Sequence, residues 1–134
     1  MPFMKWDDTF SVNVKEIDLQ HQKLMGMINE FYDHLRGNAK QALNDLLASM
    51  VDYTKYHFST EEKYFDAFAY PKGAHHKNIH EQFKAKVMDV RNRLAKGELV
   101  ISMEVTNFLK DWLVEHIKGS DKKYSRWFND HGLY

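Results

Sequence analysis

The sequence predicts an all-α protein, an up-down-up-down antiparallel four-helix bundle with an N-terminal arm. The first indication is composition, because the 134 residues are 43% hydrophobic and include only two prolines and six glycines. The second is periodicity, since apolar residues recur at helical spacing through four long stretches. The third is the short length of the connections, which favours antiparallel packing of consecutive helices. We therefore expect a single domain over residues 1–134.

Glycine, proline and asparagine separate the four stretches, and these residues commonly end helices. An arm covering residues 1–17 leads to Asp18, a candidate N-cap of the first helix, which ends near Gly37. The second helix stops before Pro71, and the third stops before Lys96-Gly97. A short helical extension follows the fourth helix at the C-terminus. The predicted helices cover residues 18–37, 40–66, 73–95 and 103–119.

The composition excludes several classes of function. Nineteen basic and nineteen acidic residues give a formal net charge of zero, which does not favour nucleic acid or anionic membranes. The absence of cysteine excludes disulfides, thiolate zinc sites and cysteine-ligated iron–sulfur clusters. No apolar stretch is long enough for a signal peptide or a transmembrane helix. We expect a cytoplasmic protein without membrane insertion, and a monomer, because nothing marks a large exposed apolar face.

Two pairs of potential metal ligands are spaced four residues apart on predicted helices. Residues four apart differ by only about 40° around the helix axis, so His57 and Glu61 face one place, as do His76 and His80. A lone histidine lies upstream, and a histidine and an aspartate follow downstream. His21, His57, His80 and His116 continue the apolar stripes into the core, where an unpaired imidazole or carboxylate is costly. The candidate ligands are His21, His57, Glu61, His76, His80, His116 and Asp121.

The topology predicts that these seven side chains meet at one end of the bundle. The starts of the first and third helices lie beside the ends of the second and fourth. The heights agree, because about 16 residues separate His21 from the first turn and about 17 separate that turn from His57. Asp121 follows His116 by five residues, a rotation of about 140° on an ideal helix. We therefore expect a π-type bulge or a bend near Gly119.

This ligand set suits two iron ions better than one zinc ion. Five imidazoles and two carboxylates exceed the four ligands of a mononuclear zinc site, and two carboxylates can bridge two ions. Six-coordinate iron would take three histidines on one ion and two on the other, with both carboxylates and an oxo or hydroxo group bridging. One coordination position then stays open for a small molecule such as O2.

Several runs of this sequence resemble the bacteriohemerythrins, the single-domain bacterial hemerythrin family. The resemblance covers essentially the whole chain, begins with Lys5-Trp6, and includes every metal ligand of the family pattern. The matching runs are IDLQHQ at 17–22, HFSTEE at 57–62, HKNIH at 76–80 and HIKGSD at 116–121.

The resemblance implies a role for each candidate ligand. One iron would be held by His76, His80 and His116, and the other by His21 and His57, while Glu61 and Asp121 bridge the two. It also implies reversible O2 binding at the iron with two histidines, where two electrons pass to O2 and give a diferric hydroperoxide. The protein would then carry, store or deliver O2 and would not be an enzyme. The implied O2 pocket is lined by Phe58, Trp112, Leu113 and Ile117.

Other functions stay open at this point. A ferritin-like di-iron enzyme or iron store is also a four-helix bundle, but its sign is Glu-x-x-His on two helices, and no Glu-x-x-His occurs here. The same fold could serve a redox enzyme that reduces peroxide or nitrite, or an O2 or redox sensor. The metals could also serve structure alone. His34, His75 and His131 belong to no paired pattern, and we interpret them as surface or boundary residues.

Overall fold

Helices make up the regular structure of the described part of the chain. The computed structural model describes residues 3–34, 37, 39–97 and 102–134, and no strand occurs among them. A 3₁₀ turn, Asp8–Phe10, precedes the first helix, and a π-helical segment, His116–Asp121, joins the last two. The α-helices are α1 (Lys15–Asp33), α2 (Ala39–Ala67), α3 (Gly73–Ala95), α4 (Ser102–Glu115) and α5 (Lys122–Asp130).

The helices α1 to α4 form the antiparallel four-helix bundle, so the predicted fold class is confirmed. α1 packs against α2 and α4, and α2 also packs against α3 and α4. The apolar stripes face inward, where α1 buries Leu24 and Ile28 and α3 buries Phe83 and Val87. Within the described residues, none of the helices combines the length and apolar character that crossing a lipid bilayer requires.

α1 begins at Lys15 and not at Asp18, the predicted N-cap. Asp18 lies in the first turn, and its carboxylate accepts hydrogen bonds from the backbone N–H of Val12 at 2.8 Å and the hydroxyl of Ser11 at 2.6 Å. An acidic side chain is also favourable there because it faces the positive end of the helix dipole. Asp18 therefore ties the arm to the helix, and the arm is shorter than predicted.

α1 also ends earlier than the predicted residue 37. The backbone N–H of His34 still reaches the carbonyls of Glu30 and Phe31, at 3.2 and 3.0 Å, but its φ and ψ of −96° and 6° leave the helix. Leu35, Arg36 and Asn38, where the sequence placed the helix end, lie outside the described residues.

α2 and α3 approach closely at the turn between them. Ala69 takes a positive φ of 49° just before Pro71, which turns the chain back. Gly73 opens α3 in a crowded place, since a Cβ at this position would lie 3.2 Å from the Cβ of Phe65. Phe65 in turn lies against His76, with 4.8 Å between ring centroids. The close approach thus sets the start of α3 against the end of α2.

The fourth predicted helix, 103–119, is interrupted. α4 ends at Glu115, and the π-helical segment follows, in the region where the sequence predicted a bulge near Gly119. α5 forms the C-terminal extension and fully buries Tyr124 and Phe128. The arm packs beside these helices, because the Asn129 side chain donates to the carbonyl of Asn13 at 3.0 Å.

Candidate metal centre

The seven candidate ligands meet at one end of the bundle, and each is at most 5% exposed. They come from the start of α1, the end of α2, the start of α3 and the π-helical segment after α4. Their ligand atoms form two overlapping groups, within each of which the atoms lie no more than 4.8 Å apart. The three-histidine group is His76, His80, His116, Glu61 and Asp121, and the two-histidine group is His21, His57, Glu61 and Asp121.

Asp121 reaches both groups with separate oxygens. Its Oδ1 lies 2.9 Å from His76 Nε2 and 3.0 Å from His116 Nε2, whereas its Oδ2 lies 3.0 Å from His21 Nε2. On an ideal helix a five-residue step would turn Asp121 away from His116. The π-helical segment, with its wider i→i+5 turn, returns both side chains to the same face.

Glu61 also belongs to both groups. Its Oε1 lies 3.1 Å from His57 Nε2 and 3.3 Å from His80 Nε2. Its Oε2 accepts a short hydrogen bond from the hydroxyl of Tyr124. Burial, together with the Asp121 and Glu61 carboxylates, raises the pKa of Tyr124 well above its ordinary value. The phenol therefore stays protonated and remains a donor to Glu61.

The side chains at this site fit a metal better than they fit one another. Both nitrogens of His21, Oε1 of Glu61, Nε2 of His80 and both oxygens of Asp121 are buried without a hydrogen-bond partner. The 3.0 Å contact between His21 and Asp121 lacks the orientation of a hydrogen bond. Atoms left in this state cost stability. Two ligands at right angles on one ion, with bonds of about 2.1 Å, lie about 3.0 Å apart. The nitrogen–oxygen distances between the histidines and the two carboxylates, 2.9 to 3.3 Å, are close to this value.

The electrostatics favour the protonation states that bind metals. Burial lowers the pKa of His21, because the charged imidazole would lose its hydration. Burial would raise the pKa of Asp121, but His116, His21 and His76 outweigh it and hold this pKa well below its usual range. The pKa of Glu61 is likewise lowered, because His57 and His80 outweigh burial and the Asp121 charge. Ionised carboxylates and neutral imidazoles are the ligating forms.

His116 departs from this pattern. Its burial lowers the pKa, but the Asp121 carboxylate at 3.0 Å raises it by more, so the net shift is upward. A metal ion must therefore displace a proton from His116 more often than from an ordinary histidine.

Two histidines have hydrogen-bonded partners behind the site. His57 Nδ1 contacts the side-chain oxygen of Gln20 at 2.6 Å, and His80 Nδ1 contacts a carboxylate oxygen of Glu62 at 2.9 Å. Partners of this kind fix the ring orientation and the tautomer of a ligand histidine.

Gln20 and Tyr124 were not identified from the sequence as residues of this site. Gln20 precedes His21 in chain order, but its side chain contacts His57 on another helix. Tyr124 follows Asp121 by three residues, a spacing that places both on one helix face and could have revealed it.

Two of the four predicted pocket residues stack on ligand histidines, and the other two are buried nearby in the chain. Phe58 stacks on His80 with 3.8 Å between ring centroids and also lies 5.7 Å from His57. Trp112 stacks on His116 at 4.3 Å. Leu113 and Ile117, on either side of His116 along the chain, are buried. The two rings thus stack on the three-histidine group, while Phe58 also touches the two-histidine group. The histidines outside the pattern, His34, His75 and His131, are exposed.

Comparison with known sequences finds a family model and several relatives that match most of this chain. A family model described as the hemerythrin HHE cation binding domain matches residues 12–128. A bacteriohemerythrin of Stenotrophomonas maltophilia is 34% identical over 125 residues, covering 93% of this chain and 81% of that protein. A bacteriohemerythrin of Methylococcus capsulatus is 30% identical over 125 residues, covering 92% and 95%. A hemerythrin-like protein of Naegleria gruberi is 34% identical over 123 residues, covering 92% and 91%.

Solved structures agree with the sequence relatives. The structure of a leucine-to-alanine mutant of a hemerythrin matches with a TM-score of 0.88 at 29% identity, covering 95% of this chain and 98% of that one. A wild-type hemerythrin structure matches with a TM-score of 0.86 at 30% identity, covering 92% and 96%.

Proposed function

This chain belongs to the hemerythrin family, and we propose that it binds O2 reversibly at two iron ions held by its seven buried ligand side chains. The observation that carries this proposal is the unequal division of the histidines, three in one group and two in the other, with Glu61 and Asp121 in both. An ion in the two-histidine group would have one protein ligand fewer, and its free position is where O2 would bind.

Each side chain has a defined part in this function. The histidines would hold the ions through their Nε2 atoms, which all lie near a carboxylate oxygen in the metal centre. Glu61 and Asp121 would bridge the ions, and Tyr124 would hold Glu61 in place through its hydroxyl. The iron pair, when bound, supplies the electrons that reversible O2 binding requires.

The apolar side chains around the centre would control access. Phe58, Leu113 and Ile117 are buried, and Trp112 packs on Phe83 with 3.9 Å between ring centroids. Such a wall excludes water and protons, which otherwise promote irreversible loss of electrons from the reduced centre. A dry pocket therefore favours binding and release of O2 over its chemical conversion.

The ligand chemistry favours O2 carriage, storage or delivery over catalysis. Ferritin-like di-iron sites use mainly glutamates, whereas this centre would share only two carboxylates among five histidines. Fewer anionic ligands stabilise highly oxidised iron less well, which favours holding O2 over activating it. The proposed partner is O2 itself.

O2 uptake by the reduced, iron-loaded protein tests this proposal. We expect about one O2 per chain to be taken up and then released when O2 is removed. His57→Ala should abolish the reversible uptake, because it removes one of the two histidines from the proposed O2-binding ion. His75→Ala is the matched control, since this exposed histidine precedes His76. Continuous O2 consumption with a reductant, without release, would instead establish a redox enzyme.

A further inference from the structure

The two groups of the metal centre have different partners behind them. In the three-histidine group, His80 Nδ1 faces the carboxylate of Glu62 at 2.9 Å. In the two-histidine group, His57 Nδ1 faces the neutral amide of Gln20 at 2.6 Å, and His21 Nδ1 has no hydrogen-bond partner. A charged acceptor therefore stands behind one group, and a neutral acceptor stands behind the other.

The hydrogen-bond directions on the Gln20 side are fixed by a chain of contacts. The hydroxyl of Thr60 donates to the carbonyl of Tyr56 at 3.2 Å, so its oxygen is left to accept. The side-chain N–H of Gln20 donates to that oxygen at 3.3 Å. The side-chain oxygen of Gln20 must then accept from Nδ1–H of His57. The other nitrogen of His57 is left with its lone pair facing the site.

The direction on the Glu62 side follows from chemistry alone. A carboxylate has no donor, so His80 Nδ1 carries the proton and donates it to Glu62. His57 and His80 thus have the same tautomer, and each has an unprotonated Nε2 that faces the site. What differs is the charge of the acceptor.

That charge changes the strength of the ligand. An anionic acceptor polarises the N–H bond and makes the opposite nitrogen a stronger donor to a metal. The Glu62 side chain is 25% exposed, so solvent screens its charge only in part. Gln20, by contrast, is 5% exposed and contributes no charge.

We propose that Glu62 and Gln20 make the two metal positions unequal, with Glu62 strengthening the three-histidine position through His80 and Gln20 leaving the two-histidine position more weakly held. Both are positioning residues, because neither is among the ligands themselves. A metal ion of higher charge is also better accommodated at the three-histidine position, because the Glu62 carboxylate stands behind it. This inference rests on the proposed metal site, but it does not depend on O2 binding.

Titration of the full-length, metal-free protein with Zn²⁺ tests the inference. NMR of the histidine ring nitrogens reports which rings bind at each step, because Zn²⁺ is diamagnetic. In the wild-type protein we expect the first ion to shift the signals of His76, His80 and His116. Glu62→Gln keeps an acceptor for His80 but removes the charge, and it should weaken binding at this position by about 10- to 100-fold. Binding at the other position should change much less.

Glu81→Gln is the matched control for charge. Glu81 adjoins His80 and bonds to Lys84 at 2.9 Å, but its side chain is 65% exposed. This variant loses the same charge without losing a ring contact, so its affinities should stay within about threefold of the wild-type values.

The exchanged variant Gln20→Glu/Glu62→Gln moves the charge to the other side. It should strengthen the two-histidine position relative to the three-histidine position. The inference is overturned if Glu62→Gln changes the affinities no more than Glu81→Gln does, or if the exchange leaves the relative affinities as they were. Binding of fewer than two Zn²⁺ ions by the wild-type protein would contradict the proposed metal site itself. Failure of the site and failure of the inference are therefore distinguishable.

Discussion

Tyr124 connects the C-terminal extension to the metal centre through its hydroxyl and its ring, which lies 5.7 Å from the ring of His76. Its fully buried hydroxyl donates to Glu61, the carboxylate that lies in both ligand groups. A buried carboxylate needs such donors, because an ionised oxygen without one is strongly destabilising. The side chain is therefore a support for the centre, and it also fills the core between α2 and α5, where it stacks on Phe128 at 4.4 Å.

Tyr124→Phe removes this hydroxyl and keeps the ring. We expect the free energy of unfolding of the metal-free protein to fall by about 1.5–3 kcal/mol, the range for hydrogen bonds to charged groups. Urea denaturation followed by circular dichroism measures the change. Tyr134→Phe, at a side chain that is 75% exposed, should leave the stability unaltered. Equal stabilities of the two variants would show that the hydroxyl contributes nothing.

Leu113→Ala tests the wall of the proposed O2 pocket. Loss of this buried side chain should admit water and speed the oxidation of the O2-bound protein to a form that no longer binds O2. The decay of the visible spectrum in air measures that rate. Leu109→Ala is the control, because Leu109 is equally buried one turn earlier on α4. Both should lose about 2–5 kcal/mol of stability, but only Leu113→Ala should decay faster; equal decay rates would contradict the pocket assignment.

The π-helical segment after α4 supplies two ligands that lie five residues apart in the chain. The sequence predicted this distortion because His116 and Asp121 cannot share a face of an ideal helix. The helix ends were less predictable. Asp18 is a residue type that often caps helices. Its carboxylate instead accepts hydrogen bonds from Val12 and Ser11, which precede the helix, and only the folded arm reveals those partners. The apolar periodicity thus located the helices, whereas contacts with the folded arm fixed where α1 begins.

Gly119 is expected to be replaceable, because the register of the segment matters more than the glycine. A Cβ at Gly119 would meet no atom within 4 Å outside its chain neighbours and the backbone of its own helix. Gly119→Ala should therefore keep its iron and gain up to about 1 kcal/mol of stability from better helix propensity. Inserting one alanine between Ser120 and Asp121 should instead turn Asp121 by about 100° and reduce the iron content. Iron analysis of both variants gives the test, and loss of iron from Gly119→Ala would refute this view.

Most of the buried polar side chains among the described residues lie at one end of the bundle. Eleven buried polar or charged residues occur among the described residues, and the seven proposed ligands are among them. Asp121 could be predicted only with a distortion of the helix that carries it. The positions of His21, His57, His80 and His116 could be predicted because each continues an apolar stripe and the antiparallel topology sets their heights. The contacts of Gln20 and Tyr124 could not, since they depend on side-chain directions across helices that spacing along the chain does not specify.

Metal removal should destabilise the molecule. An ion that binds only the folded state stabilises it by about 2.7 kcal/mol at a concentration 100-fold above its dissociation constant. The metal-free protein also keeps unpaired buried atoms on His21, Asp121 and Glu61. We expect a lower midpoint of thermal unfolding after chelation, with recovery when Fe²⁺ is restored anaerobically. Identical melting curves with and without metal would mean that the ions are not bound in the core.

The most direct test of a reversible O2 site is the visible spectrum of the iron-loaded protein, recorded with an iron count. The protein is reduced with dithionite under anaerobic conditions and measured before air, in air, and after O2 is removed again. We expect about two irons per chain and a charge-transfer band that is present only with O2 and disappears when O2 is withdrawn. Irreversible oxidation without such a band, or about one iron per chain, would contradict the proposed function.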